Sequence, residues 1–334
     1  MNNKKGLNVL SLFDGMSCGR IALERSGIKI NNYFCSDIDK YALKIAQKNY
    51  PDSIYLGDVL DFDSWDLPDI DLIIGGSPCQ SISNMGDGSG LDGKSKLFFH
   101  YVACLQKFRP KYFLLENVAG NKKAIASISE RMATRPVLIN SNLVSGQNRP
   151  RNYWTNIPMI KTIDGITYDM SQPLDKGINL IDILEDGIPD ASLIGKGRKK
   201  WLSSPGGFRA LQKRYAAIDP IKALCLTRRS DPSWNSNYVT RDKTLTRLTP
   251  VEYERLQTVP DNYTSGVSNL QRYMMLGNGW TVDVISHILS NIPFNESGSL
   301  VETESKLIDT IAINNKKELD KIFMLSKEEI ISIK

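Results

Sequence analysis

The feature that most limits the fold is an alternation in the first half of the chain, where short apolar runs are separated by amphipathic stretches of helical period. Leu7 to Phe13 is such a run, and Gly19 to Gly27 behind it has helical spacing and stops at glycine. Asn31 to Asp37 and Ser53 to Asp58 repeat the strand pattern around an amphipathic stretch that ends at Pro51. Ile70 to Gly76 and Lys111 to Val118 follow, with a helical Lys96 to Phe108 between them. Strands that alternate with helices are joined by right-handed crossovers and lie in a sheet covered on both faces. The pattern predicts a doubly wound α/β sheet, in which ligands bind at the carboxyl ends of the strands. Arg135 to Leu143 and Arg151 to Pro158, joined through the polar SGQNRP, are expected to close one edge, giving a mixed, mostly parallel sheet.

After Pro158 the texture becomes irregular and rich in Gly, Ser and Pro, with basic clusters at Gly195 to Trp201 and Thr227 to Tyr238. That change predicts a second, smaller domain, which a length of 334 residues accommodates. Arg247 to Gln257 reads as a helix with Thr249 as N-cap, Pro250 at its first position and Glu252 placed for a capping box. The last segment, Lys316 to Lys334, is an amphipathic helix that carries no evident chemistry. A formal charge of +5 permits a polyanionic partner without demanding one. Cys18, Cys35, Cys79, Cys104 and Cys225 are scattered, and with only two histidines beside them no metal is expected. No run approaches the roughly 20 apolar residues of a membrane span, so a reducing, cytoplasmic setting without membrane contact is expected.

The first strand runs into Phe13 to Gly19 (FDGMSCG), which sets two glycines and a series of backbone N–H groups at a helix N-terminus, suited to an anion. Asp37 stands about 20 residues after Gly15 at the end of the second strand, where an acidic residue binds ribose hydroxyls. Dinucleotide sites and adenosylmethionine sites share this arrangement. A carboxylate at Asp14 disfavours a pyrophosphate and suits a ligand carrying ammonium and sulfonium charges. Asp58, ending the third strand, is placed to accept from an adenine amino group.

The segment SPCQ (Ser77 to Gln80) follows an apolar strand, so Cys79 is expected in a loop beside the same cleft, stiffened by Pro78. Glu116 ends the adjacent strand within ENV. A thiol and a carboxyl group facing one pocket fit a specific problem. Carbon 5 of cytosine is a poor nucleophile until a thiolate adds at carbon 6, and a carboxyl group at ring nitrogen 3 relieves the charge that this addition creates. The carboxyl must deliver a proton, which burial favours.

FDGMSCG, Asp37, Gly57 and Asp58, SPCQ, ENV, GQNRPR (Gly146 to Arg151), RLTPVEYERLQ and GNGW (Gly277 to Trp280) stand in the order of the DNA cytosine-5 methyltransferases, which the chain resembles from about Asn8 to Leu289. FDG and the tryptophan of GNGW resemble the de novo branch of that family in detail. The resemblance implies a Rossmann-like methyltransferase fold, S-adenosylmethionine as cofactor and double-stranded DNA as partner. It implies Cys79 as nucleophile, Glu116 as the acid, and Arg149 and Arg151 near the flipped cytosine and its phosphate. Phe13, Asp14, Gly15, Ser17, Cys18, Asp37, Ile38, Asp58, Val59, Pro78, Asn278, Gly279 and Trp280 would hold the cofactor.

On the same footing, residues 1–158 would form the catalytic and cofactor-binding domain, 159–246 a target-recognition domain, 247–276 a hinge and connecting helix, and 277–293 a return to the first domain. Residues 294–334 form a tail to which the resemblance assigns no role. Contacts to DNA are expected from Gln147, from Arg198, Lys199 and Lys200 on phosphates, and from Arg228, Arg229, Trp234, Asn235 and Asn237 on bases or the vacated stack. Two other readings share the residues: an RNA cytosine-5 methyltransferase of the same fold, and a catalytically inactive DNA-binding regulator. Loss of Cys79, Glu116 or FDG would mark the latter, and all three are present.

Overall fold

The computed structural model describes residues 6–77, 97–120, 122–163, 165–295, 298–301 and 306–332. Seven strands, β1 (Leu7–Leu12), β2 (Ile30–Ser36), β3 (Ile54–Gly57), β4 (Leu72–Gly76), β5 (Tyr112–Val118), β6 (Val137–Asn140) and β7 (Pro150–Thr155), form one sheet in the order β3-β2-β1-β4-β5-β7-β6. The first five are parallel. β7 runs antiparallel to both β5 and β6. The connection from β6 to β7 is too short for a parallel crossover, which needs a dozen or more residues, so the chain turns back and closes the edge. The sheet is therefore mixed and mostly parallel, as the sequence pattern predicts.

The apolar runs are explained by alternation between two cores. Leu7 and Val9 of β1, Leu72 and Ile74 of β4, and Tyr112 and Leu114 of β5 face one layer. Leu10 and Leu12, Ile73, and Phe113 and Leu115 face the other. α1 (Cys18–Arg25) lies in the first layer, and α2 (Lys40–Asn49) adds Ile45 to it. α3 (Leu97–Phe108) and α4 (Lys122–Arg131) cover the second. Strand order reverses direction between β1 and β4, the position at which open α/β sheets bind ligands.

Beyond β7 come the hairpin β8 (Ile160–Ile163) and β9 (Ile166–Asp169), then α5 (Lys196–Leu202) and α6 (Pro205–Gln212). A three-stranded sheet of β10 (Ala217–Ile218), β11 (Asn237–Arg241) and β12 (Thr244–Arg247) accompanies them. This region has a small core of its own, formed by Ile194, Leu202, Ala210, Ala216 and Tyr238. α7 (Pro250–Leu256) begins with the expected capping box between Thr249 and Glu252. The Glu252 carboxylate is fully buried and also receives Arg241 of β11 at 2.5 Å and the Glu185 N–H at 2.9 Å. A residue that reads as a helix cap thus ties the small sheet to α7. α8 (Asn269–Asn278) and α9 (Val282–Leu289) return to the first core layer, where α9 packs on α1.

The tail supplies part of the second core. α10 (Lys306–Asn314) and α11 (Lys316–Ser332) pack on α3, burying Ile311 and Leu319, and Phe323 meets Phe62 edge-on at 5.7 Å. Arg109 to Asp309 at 2.8 Å and Asn315 Nδ2 to the Arg131 carbonyl at 3.0 Å fix their position. Covering this face is the tail's structural role. Ile311 is 1% exposed and Ile313 is 73% exposed. Ile311→Ala should cost about 2–5 kcal/mol in urea denaturation, and Ile313→Ala no more than about 0.5 kcal/mol. Equal, small effects would show that the hairpin is not part of the cooperative core.

Candidate active site

Phe13, Asp37 and Asp58 follow β1, β2 and β3, which are neighbours in the sheet, so the three residues stand in a row along its carboxyl edge. The loop after β1 is wound tightly: Phe13, Gly15 and Ser17 all have positive φ, of 56°, 60° and 63°. The left-handed Phe13 and Ser17 are strained conformations held by their surroundings. Asp14 supplies the hold. Its Oδ1 accepts from Ser11 Oγ at 2.6 Å and Tyr33 OH at 2.7 Å, and its Oδ2 from Ser17 Oγ at 2.5 Å. Burial pushes its pKa up to about 6, against the three hydroxyl donors.

These contacts correct two expectations. The Asp14 carboxylate points into the loop's own scaffold and does not face a ligand's ammonium group. Nor is the loop an open anion cradle, because three of its N–H groups are already used. Asp14 donates to the Ser36 carbonyl, Gly15 to Asp37 Oδ2 and Ser17 to the Asp14 carbonyl.

Asp37 accepts from Gly15 at 2.8 Å and from the Asp39 N–H at 2.7 Å, one bond to each oxygen, so each oxygen keeps acceptor capacity for a hydroxyl. Burial raises its pKa. Beside it Ile38 is 75% exposed, an apolar side chain left open to a planar ring. Asp58 accepts from the Leu60 N–H at 3.1 Å, and Val59 is buried behind it. Two carboxylates with spare acceptor capacity flanking an exposed apolar side chain fit the ribose and adenine of a nucleoside. Cys18 is buried, its thiol hydrogen-bonded to the Trp280 backbone, and burial pushes its pKa up to about 12. Its side chain is a packing group.

At the reactive end, Glu116 is buried near the end of β5. Arg151 Nε lies 3.0 Å from its Oε1, and Trp280 Nε1 donates to its Oε2 at 3.0 Å. Asn117 Nδ2 donates to both the carbonyl and the hydroxyl of Ser77 at 3.2 Å, which fixes the residue from which the chain enters SPCQ. Pro78 and Cys79 themselves lie outside the described residues. Asn117 is a positioning residue that sequence reasoning passed over, although it stands inside ENV. Arg151 also reaches the Pro150 carbonyl at 2.8 Å and Cys225 Sγ at 3.7 Å.

Arg149 does not face a base or a phosphate. It is buried, and its guanidinium donates to the carbonyls of Leu226 at 2.6 Å, Gly277 at 3.1 Å and Gly279 at 2.7 Å. Burial and the neighbouring Arg151 lower its pKa. Burial opposes the Cys225 thiolate, yet Arg149 and Arg151 outweigh it and lower the pKa of this thiol. Asn278 is exposed at the turn that Arg149 supports.

Several residues expected to meet DNA are spent inside the protein. Gln147 is 0% exposed, donating to the Leu256 carbonyl at 2.6 Å and Gln257 Oε1 at 2.9 Å. Asn237 is buried, its amide bonded to both backbone groups of Leu224. Arg198 pairs with Asp231 at 2.8 Å and lies over the half-buried Trp234, which meets Trp201 edge-on at 5.9 Å. Burial and satisfied hydrogen bonds therefore remove Gln147, Asn237 and Arg198 from a DNA-facing set, and Trp234 is half-committed to the small core. Lys199, Lys200, Arg228 and Arg229 are exposed, and Asn235 is half-buried. Phe208, which the sequence does not single out, is 61% exposed on α6 beside the exposed Arg209, an apolar residue in the glycine-rich stretch PGGFR. Among the described residues no three His, Cys, Asp or Glu gather as a metal site, and no helix is long and apolar enough to cross a membrane.

Comparison with known proteins bears on the family and the fold. Residues 7–131 and 149–293 match the family model described as C-5 cytosine-specific DNA methylase. Type II methyltransferase M1.ScrFI of Lactococcus lactis subsp. cremoris is 28% identical over 84% of this chain and 76% of its own. Type II methyltransferase M.HaeII of Haemophilus aegyptius is 28% identical over 86% of this chain and 93% of its own. Among solved structures, Entamoeba histolytica methyltransferase EhMeth superposes with a TM-score of 0.65 at 18% identity, covering 86% of this chain and 98% of that one. A Spodoptera frugiperda DNMT2 mutant superposes with a TM-score of 0.63 at 20% identity, over 86% and 99%. Both speak to the fold.

The buried Asp14 has a consequence for stability. A carboxyl whose pKa rises from 3.8 to about 6 on folding holds its proton more tightly in the folded chain. Its favourable contribution is complete below the unfolded value and is lost as pH rises through about 6. The stability of the wild type relative to Asp14→Asn should therefore fall by about 2–3 kcal/mol between pH 4 and pH 7 in urea denaturation. A difference independent of pH would contradict the placement of this carboxylate.

Proposed function

The chain belongs to the C-5 cytosine-specific DNA methylase family, and from that premise we propose that Cys79 and Glu116 carry the reaction, with S-adenosylmethionine as methyl donor. When bound, S-adenosylmethionine supplies an electrophilic methyl group. Asp37 would hold its ribose, Phe13, Ile38, Asp58 and Val59 would surround the adenine, and Trp280 would complete the pocket. The observation that carries the reading is the meeting of Glu116, Arg151 and Trp280 beside Ser77, from which the chain enters Pro78 and Cys79.

In this reading the Cys79 thiolate adds to carbon 6 of the cytosine, forming an S–C bond and pushing the ring's electron pair toward carbon 5 and nitrogen 3. Glu116 gives its proton at nitrogen 3, which lets the ring accept that charge. Carbon 5 would then take the methyl group, the bonding pair staying on the sulfur of the donor, and the proton at nitrogen 3 would return to the Glu116 carboxylate. Removal of the carbon 5 proton by a base restores the ring double bond as the S–C bond breaks, returning its electron pair to sulfur. Arg151 holds the Glu116 carboxyl group in place, and Arg149 acts one step back, through the turn that bears Trp280.

The target carbon is stacked in a duplex, so the cytosine must be turned out at a cost of a few kcal/mol. Lys199, Lys200, Arg228 and Arg229 are free to neutralise phosphates, and the exposed Phe208 is available to the opened stack.

The covalent step has a direct test. A duplex pool of random sequence carrying 5-fluorocytosine cannot release the fluorine as a proton is released, so the S–C bond persists. With S-adenosylmethionine present, the wild type should form a denaturation-resistant protein–DNA adduct, Cys225→Ala should form it too, and Cys79→Ala should form none. An adduct that survives Cys79→Ala removes Cys79 from this role.

A further inference from the structure

We infer that Trp280 is a positioning residue for the acid of the reaction: its indole N–H fixes the Glu116 carboxyl group and ties it to the cofactor loop. The inference rests on the reading of Glu116 as the group that protonates the ring. The contact joins residues 164 apart in sequence, Nε1 donating to Oε2 at 3.0 Å, while Arg151 approaches Oε1 at 3.0 Å. One donor on each oxygen sets both the plane and the rotation of the carboxyl group. Indole and guanidinium are donors only, so neither can take a proton from Glu116. Each oxygen keeps a second lone pair that neither donor occupies.

The site is shaped around this contact. A Cβ on Gly76 would stand 2.9 Å from both Glu116 Oε2 and Trp280 Nε1, so only glycine leaves room for the pair. On its other side the indole lies over Gly19, where a Cβ would come within 3.5 Å of Cζ3, and the Trp280 backbone is hydrogen-bonded to the Cys18 thiol. The mount is rigid. Arg149 and Gln257 both donate to the Gly279 carbonyl, and the Thr281 hydroxyl is held by Ser141 and by Gln257 Oε1. Catalytic groups need placement to within about 0.5 Å, and a second ring of fixed contacts is what provides it. A tryptophan that only packed against the cofactor would not need its N–H on the acid.

The test is a double-mutant cycle measured by single-turnover methyl transfer to DNA, with S-adenosylmethionine binding followed separately by calorimetry. Trp280→Phe keeps an aromatic ring and deletes the donor. It should slow transfer by about 10–100-fold while changing the S-adenosylmethionine Kd by less than about 3-fold. In a Glu116→Gln background the same substitution should have almost no further effect, because the group it positions is already gone. Gly76→Ala, which forces the indole N–H and the carboxyl oxygen apart while leaving both side chains in the chain, should show the same loss and the same non-additivity. Equal losses in the two backgrounds, or no loss in the wild-type background, would overturn the inference. An unsubstituted chain that binds S-adenosylmethionine and transfers no methyl group would instead remove the functional reading, and this inference with it.

Discussion

The site depends on one buried cation. Arg149, at the foot of β7, spends its guanidinium on the carbonyls of Leu226, Gly277 and Gly279. It thereby joins the sheet edge, the strand-like return from the small region and the turn that carries Trp280. A buried charge is tolerable only when its hydrogen-bonding capacity is met, and removing one partner leaves the others unpaired at about 1–3 kcal/mol each. Gln147 and Gln257 extend the network, the first holding the Leu256 carbonyl and the second those of Leu276 and Gly279. The Gly277 and Gly279 carbonyls are held by side chains from elsewhere in the chain, which fixes the turn from which the indole addresses a carboxylate on β5.

How much of this was legible follows from what leaves a trace in sequence. Strand runs facing two cores show as unbroken apolar stretches, and the capping box of α7 shows as spacing, so the sheet and that helix are legible in the sequence. The row of Phe13, Asp37 and Asp58 was readable too, because strand order places consecutive strand ends side by side. What a polar side chain faces was not. Gln147, Asn237 and Arg198 look like DNA contacts when read beside their basic neighbours, and each is turned inward by a partner distant in sequence, at Leu256, Leu224 and Asp231. Asp14 was placed correctly in the loop and pointed the wrong way, because its three hydroxyl donors come from two strands and a helix start. The tail is recognisable as an amphipathic helix, while the face it covers depends on α3 and on Phe62, both distant in sequence.

The thiols separate along the same physical line. Burial in apolar surroundings raises the pKa of Cys18, Cys35 and Cys104 and keeps them as small packing groups. Cys225 sits between two guanidiniums and is shifted the other way. Composition cannot sort these residues, because all read alike as scattered single cysteines. The regions differ in an equally physical way: satisfied, buried polar groups hold the Glu116 and Asp14 carboxyl groups in place, whereas Lys199, Lys200, Arg228 and Arg229 of the small region are exposed.

The central claim, transfer of a methyl group to carbon 5 of cytosine in DNA, is tested most directly by bisulfite sequencing of duplex DNA incubated with the purified chain and S-adenosylmethionine. The account predicts cytosines protected from conversion within one short recurring sequence context. Complete conversion of every cytosine, by a folded chain shown to bind S-adenosylmethionine, would contradict it.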